Sequence, residues 1–267
     1  MKNEKSILIT SATRTAVGSF GKSLKNVSGA ELGATTILET IKRSKIKCEN
    51  IDEVIMGQVL TGSAGQNPAR QAAIKSGIPK EKPAYIVNQV CGSGIRSVAS
   101  GFQSIKVGDS KIIIAGGQES MSLAPHAIHI REGKKIGDTE ITDTMIKDGL
   151  WDAFHGYHMG VTAENVATKF QVTRQEQDKF ALNSQEKALK AQAENRFKEE
   201  ITSIKIKSKN AEINFNKDEH PREGINLEAL SRLKPVFQKN GSVTAGNASG
   251  INDGAAAVTL MSSEEAK

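Results

Sequence analysis

Between residues 6 and 117, short apolar runs alternate with stretches of helical periodicity, and that rhythm leaves few folds open. Residues 6–10, 52–60, 84–87 and 111–117 read as strands; residues 30–46, 67–76 and the run carrying Ile95, Val98, Ala99, Phe102 and Ile105 read as helices. In the first helix Leu32, Ala34, Ile37, Leu38 and Ile41 lie near one face, with Glu39, Lys42 and Arg43 opposite. Strands that alternate with helices imply parallel pairing through right-handed crossovers, and near-continuous apolar strands imply a sheet covered on both faces. The class is a layered α/β fold. After about Gln118 the chain becomes polar and loop-rich, helical only near 164–167 and 175–189, until residues 254–261 return as a strand. This predicts one five-stranded α/β unit, residues 1–118 and 253–267, with residues 119–252 inserted before its last strand. Insertions of that length commonly carry binding function.

One cysteine stands out by its place in this rhythm. Cys91 falls between the 84–87 strand and the following helix, and Gly92, Ser93 and Gly94 let the chain turn tightly and let another molecule approach. Amides at a helix start stabilise negative charge on a nearby sulfur, so the position suits a nucleophile. The plainer reading is that free cysteine is among the most buried residue types and serves as a small core side chain. The other cysteine, Cys48, sits at the polar end of a helix. Two cysteines make no disulfide framework, and free thiols suit a reducing compartment, so a cytoplasmic location is expected.

Charge and composition exclude several classes. Thirty-six basic against 30 acidic residues give +6, yet aromatics are only 4% and the densest lysine stretch, 198–209, is flanked by Phe197 alone. Nucleic-acid binding needs clustered cations interleaved with stacking groups, so the stretch reads as a solvated face and no nucleic-acid partner is expected. A mild positive field still attracts a phosphorylated substrate. No apolar run reaches bilayer length, and residues 1–9 have neither the apolar length of a secretory leader nor the arginines of a transit peptide.

Several stretches together resemble one family. Asn88-Gln89-Val90-Cys91-Gly92-Ser93-Gly94-Ile95-Arg96-Ser97-Val98 is similar to the acyl-enzyme signature of the thiolases. In that family's order also stand Arg14-Thr15 with Gly18-Ser19-Phe20, Gly57-Gln58-Val59, and Gln66-Asn67-Pro68-Ala69-Arg70. Gly116-Gly117-Gln118-Glu119-Ser120-Met121, Met159-Gly160-Val161-Thr162-Ala163-Glu164-Asn165 and Thr244-Ala245-Gly246-Asn247-Ala248-Ser249-Gly250 complete the set. The resemblance covers essentially the whole chain and is to the amino-terminal half of a thiolase. It implies a five-stranded mixed sheet with helices on both faces, plus an inserted loop domain that grips coenzyme A.

The resemblance also implies chemistry: two acetyl-CoA interconvert with acetoacetyl-CoA and CoA through an acetyl group on Cys91, with CoA thioesters as substrates and no prosthetic group. It places Leu150, His158, Met159, Arg222, Phe237, Ala245 and Ser249 along the CoA. An arginine fork suits phosphate, and small loop residues suit an amide-rich arm passing close to backbone. Without the resemblance, Arg222 reads as a surface loop residue with local ion pairs, and His158 does not differ from His155. His126 and His129, three apart, lack the further ligands of a metal site. Family members are commonly homotetramers assembled partly through the loop after the fourth strand, here about 123–143.

The family's remaining catalytic groups are a histidine in Gly-His-Pro, a second cysteine in Cys-x-Gly-Gly-Gly and an Asn-Glu-containing oxyanion element, all in its second half. Neither Gly-His-Pro nor Cys-x-Gly-Gly-Gly occurs in these 267 residues. Little turnover by this chain alone is therefore expected, since a carbon–carbon condensation needs proton transfers and charge stabilisation. An exposed apolar face is expected where the second half packs. Two alternatives stay open: a non-catalytic CoA-binding or interaction module, and one half of a split enzyme. A decarboxylating ketoacyl synthase also fits the fold and the cysteine turn, but the long insertion favours a thiolase.

Overall fold

The structure, a computed structural model, describes residues 6–208 and 211–267. The leader reading falls largely on residues 1–5, which lie outside the described residues, as does Lys209 of the lysine stretch. In chain order the elements are β1 (Ile7–Thr15), β2 (Gly18–Ser19), α1 (Gly29–Arg43), β3 (Glu53–Gly57), α2 (Pro68–Lys75), β4 (Ala84–Val87), α3 (Ser93–Val107) and β5 (Ile112–Ser120). There follow β6 (His126–Ala127), β7 (Thr142–Asp143), α4 (Met159–Lys169), α5 (Arg174–Ala193), β8 (Ile201–Thr202), β9 (Ile204–Ser208), β10 (Ala211–Phe215), α6 (Leu227–Ser231) and β11 (Asn252–Ser262).

The described residues form two compact units. One comprises those within 1–125, 200–217 and 252–267; the other comprises 126–199 and 218–251. The expected insertion at 119–252 differs from this at 119–125, 200–217 and 252, whose described residues join the first unit. The reason is packing: Ile204 of β9 and Phe215 of β10 are buried in a cluster with Ala16, Leu24 and Leu32. On β9, Lys205 and Lys207 point outward in alternation with Ile204 and Ile206, so this part of the lysine stretch is solvated on one face of a hairpin.

In the first unit the sheet runs β4-β3-β5-β11-β1-β8, with β2 pairing onto β11. Five strands are long enough to have been read from sequence; β2 and β8, of two residues each, make the seven. β3 pairs in parallel with both β4 and β5, as helical crossovers require. β11 is antiparallel to β5 and to β1. The sheet is therefore mixed, as the resemblance implies, with parallel pairs β4-β3-β5 on one side, the antiparallel β11 between β5 and β1, and the short β8 parallel to β1 at the far edge. β11 arrives from the second unit rather than over a crossover helix, so the handedness rule does not bind it.

Alternation along the strands sorts side chains to two helical layers. Val54, Met56, Ile112 and Ile114 pack with Ile37 and Ile41 of α1 and with Ala69, Ala72 and Ala73 of α2. Ile55, Ile113, Ala115 and Leu260 pack with Ile105 of α3 on the opposite face. Each fully buried aliphatic side chain contributes roughly 1.5–3 kcal/mol. α1 is started by a capping box in which Ser28 Oγ accepts from Glu31 N (3.2 Å) while Glu31 Oε2 accepts from Ser28 N (3.0 Å). In α3 the buried residues are Ser93, Ser97, Gly101 and Ile105, spaced by four. Ile95 and Phe102, expected on the buried face, point outward at 80% and 46% exposure. Small residues let α3 lie close on the sheet, and its larger apolar side chains are left on the outside.

Candidate active site

The turn from β4 into α3 builds the first part of the site. Cys91 lies just before the helix N-cap Gly92, and its side chain is exposed, which sets aside the core-filler reading. Val90 adopts φ +48°, a left-handed backbone that β-branched residues rarely accept. Hydrogen bonds hold it there. Asn88 Oδ1 accepts from Val90 N (2.9 Å), while Ser93 Oγ accepts from Gln89 N (2.9 Å) and donates to Val90 O (2.6 Å). Gly92 N donates to Gln89 O at 3.0 Å and Ser93 N to Val90 O at 3.1 Å. The helix start can sit against β3 only because residue 57 is glycine: a Cβ there would lie 2.5–2.7 Å from backbone atoms of Ser93 and Gly94. Ser97 Oγ donates to Gly116 O on β5 at 2.6 Å, fastening the first turns of α3 to the sheet.

β3, β4 and β5 are mutually parallel, so the segments that follow them, near residues 58–67, 88–92 and 121–125, leave the sheet at one end. Ligands in open α/β sheets favour that end. At the end of β5, Glu119 is largely buried and accepts from Val59 N (2.8 Å) and Leu60 N (3.1 Å), tying the segment after β3 to β5. Burial pushes its carboxyl up to about 7, against the two amide hydrogen bonds that favour the ionised form. Beyond β5, Ser122 donates through N (2.9 Å) and Oγ (2.5 Å) to the fully buried Asp253 of β11.

The second unit holds the other residues expected at the site. Leu150 closes a π-type turn, Met145–Leu150, and is half-buried. The loop that follows is closed by a bridge between Trp151 and His158 and by Asp152, whose Oδ1 accepts from Phe154 N (2.8 Å) and His155 N (2.9 Å). These amide hydrogen bonds hold the Asp152 carboxyl below its usual range. His158 caps α4, its Nδ1 accepting from Gly160 N at 3.0 Å. An accepting Nδ1 puts the proton of the neutral ring on Nε2, which is left as a donor. The ring stacks on Phe237 with centroids 4.8 Å apart. Residue 160 must be glycine for this, since a Cβ there would meet the Phe237 ring at 2.2–2.3 Å. Met159 beside it is exposed.

Ala245 and Ser249 are exposed on one loop that the rest of the unit holds tightly. Glu164 of α4, itself buried, accepts from Ser242 N (2.9 Å), Ser242 Oγ (2.9 Å) and Val243 N (2.8 Å). Burial works to raise its carboxyl, but these bonds prevail and hold it below the usual range. Asp178 of α5 accepts from Arg174 Nε (2.8 Å) and Asn247 Nδ2 (2.9 Å), and Asn247 Oδ1 accepts from Thr244 N (2.7 Å). Arg222 has an exposed side chain, and its N–H donates to Gln185 Oε1 at 2.8 Å. The sequence reading marks neither the anchoring pair Glu164 and Asp178 nor Glu119. Buried carboxylates in polar stretches have no periodic signature; their one visible signal is position inside the quoted motifs, which holds for Glu119 and Glu164 only.

The first unit is thus a layered α/β unit with an exposed thiol at a strand-to-helix turn. The family description "Thiolase, N-terminal domain" matches residues 7–264, so the chain belongs to the thiolase family. It is 56% identical over 261 residues to an acetyl-CoA acetyltransferase of Rhizobium meliloti, covering 98% of this chain and 66% of that protein. A cytosolic acetyl-CoA acetyltransferase of Rattus norvegicus is 50% identical over 263 residues, with 98% and 66% covered. The crystal structure of the Bacillus anthracis acetyl-CoA acetyltransferase superposes with a TM-score of 0.95 at 42% identity, covering 98% of this chain and 67% of that one. The chain spans about two thirds of the length of these relatives.

Proposed function

We propose that this chain carries the acyl-accepting part of an acetyl-CoA C-acetyltransferase, interconverting two acetyl-CoA with acetoacetyl-CoA and CoA. The observation that carries the reading is the exposed Cys91 at the turn into α3, in a chain of the thiolase family. With its proton taken up by a base, Cys91 Sγ attacks the acetyl-CoA carbonyl. An Sγ–C bond forms, the bond from carbon to the CoA sulfur breaks, and CoA leaves as the thiol with that proton. The carbanion of a second acetyl-CoA, deprotonated at its methyl carbon, then attacks acetyl-Cys91. A carbon–carbon bond forms and the Cys91 thiolate departs.

In this reading the base, the second cysteine and the oxyanion donors belong to the Gly-His-Pro, Cys-x-Gly-Gly-Gly and Asn-Glu elements of the family. The second unit holds CoA: His158 Nε2–H and Met159 near the acyl end and pantetheine, Leu150 and Phe237 as apolar neighbours, Ala245 and Ser249 along the arm, Arg222 at phosphate. CoA thioesters are the substrates, with no prosthetic group. The enzyme works in the cytoplasm as a homotetramer, with residues 123–143 in the assembly or with a separate carboxy-terminal portion supplying the remaining groups. No helix among the described residues is long and apolar enough to cross a membrane.

The test is thiolysis of acetoacetyl-CoA by CoA, using this chain alone and mixed with the separately prepared remaining third of a relative. Turnover in the mixture supports the reading; none in either sample counts against it. A second reading is a non-catalytic CoA-binding or interaction module. It requires CoA affinity with no acetyl group on Cys91, and a stable adduct there sinks it.

A further inference from the structure

We propose that Ser93 is a positioning residue that holds Val90 in its left-handed backbone and thereby aims the Cys91 thiol. The inference rests on the reading of Cys91 as the acyl acceptor. Val90 is β-branched and half exposed at 50%, so no burial of its side chain compels φ +48°. Left-handed backbone costs a non-glycine residue of order 1–3 kcal/mol and persists only where neighbours over-determine it. The neighbours here are specific. The hydroxyl of Ser93, a residue 4% exposed, spans Val90, accepting from the N–H before it and donating to its carbonyl, and Asn88 Oδ1 takes the Val90 N–H. A hydroxyl is the smallest group that both donates and accepts, and alanine does neither.

Cys91 is the next residue, so the direction of its Cα–Cβ bond follows from the Val90 dihedrals. Ser93 is itself fixed, since α3 starts against Gly57 and is bonded through Ser97 to Gly116. The chain of cause runs from the sheet, through the helix start and the Ser93 hydroxyl, to Val90 and then to Cys91. Relaxation of Val90 to an ordinary backbone leaves a thiol that is equally exposed and differently aimed.

Two measurements test this, the first on the 267-residue chain mixed with the separately prepared remaining portion of a relative, the second on the 267-residue chain itself. The first compares acetyl transfer from acetyl-CoA to Cys91 with alkylation of the same thiol by iodoacetamide, each followed by mass spectrometry. Ser93→Ala slows acetyl transfer at least about tenfold, as loss of orientation does. It changes alkylation, which needs no fixed approach, less than about twofold, and Ser93→Thr restores acetyl transfer. The second is a thermal-unfolding cycle with Val90→Gly. Glycine accepts positive φ without strain, so the substitution raises the melting temperature when Ser93 is present and lowers it in the Ser93→Ala chain, where Val90 has already relaxed. Wild-type acetyl transfer in Ser93→Ala, or additive melting shifts, overturns the proposal. Where the unsubstituted chain takes up no acetyl group even in that mixture, the acyl-acceptor reading fails, and the melting cycle alone decides whether Ser93 holds Val90.

Discussion

Among the described residues, Glu119 carries the clearest pH dependence. Its folded carboxyl, raised by burial to about 7 from an ordinary 4.5, resists ionisation in the fold more than in the unfolded chain. Its contribution to stability is therefore fully present below 4.5 and is lost as pH rises through about 7. The shift corresponds to about 3 kcal/mol. Glu119→Gln keeps the shape and cannot ionise, so the melting temperature of the wild type relative to this variant falls as pH is raised from 4.5 to 7.5. A pH-independent difference contradicts the assignment. Glu164 has the opposite sign: held below its ordinary range, it contributes above pH 4.5 and less as pH falls through its folded value. Glu164→Ala leaves the Ser242 and Val243 amides without their acceptor, at a cost on the order of 2–4 kcal/mol. It is expected to open the 242–250 loop to proteolysis.

At the scale of elements, α3 and α4 show how a helix start is made into part of a site. α3 enters against a strand glycine and bears small residues on its sheet face; α4 is capped by His158, whose ring is backed by Phe237. Gly160→Ala puts a methyl group into that ring. The expected result is destabilisation of about 1–3 kcal/mol in urea unfolding, together with weaker CoA binding by calorimetry. Unchanged CoA affinity in a folded variant argues against His158 and Phe237 as CoA contacts. Apart from the two-residue β2, the strands and helices up to β5 were legible in sequence because apolar periodicity reports burial. The same signal misled for Ile95 and Phe102, since periodicity fixes that a helix forms but not which of two apolar stripes turns inward when the other is made of Ser and Gly. β8 to β10 were missed because Ile201, Ile204, Ile206 and Phe215, which pack on the core, stand among lysines and polar residues that dilute the alternation. The Cys91 turn was legible from its glycines, whereas the Glu164 and Asp178 anchors depend on contacts 69 and 78–79 residues away along the chain.

For the whole molecule, two units divide the labour that the proposed reaction requires, the thiol on one and the CoA-directed residues on the other. The outer face of α3 bears Ile95 and Phe102, and Val107 at 72% exposure lies at its end, apolar surface that a lone chain leaves to water. This chain alone is expected to bind a hydrophobic dye and to give no measurable acetoacetyl-CoA thiolysis, while the missing activity returns on mixing with the remaining portion of a relative. The account stands most directly on whether Cys91 accepts an acetyl group. The measurement is peptide mass spectrometry of this chain, mixed with the separately prepared remaining portion of a relative, after exposure to excess acetyl-CoA and acid quench, with Cys91→Ala as control. The account predicts one acetyl group on the Cys91 peptide, none on Cys48, and its removal when free CoA is added. An unmodified Cys91, or equal labelling of both cysteines, contradicts it.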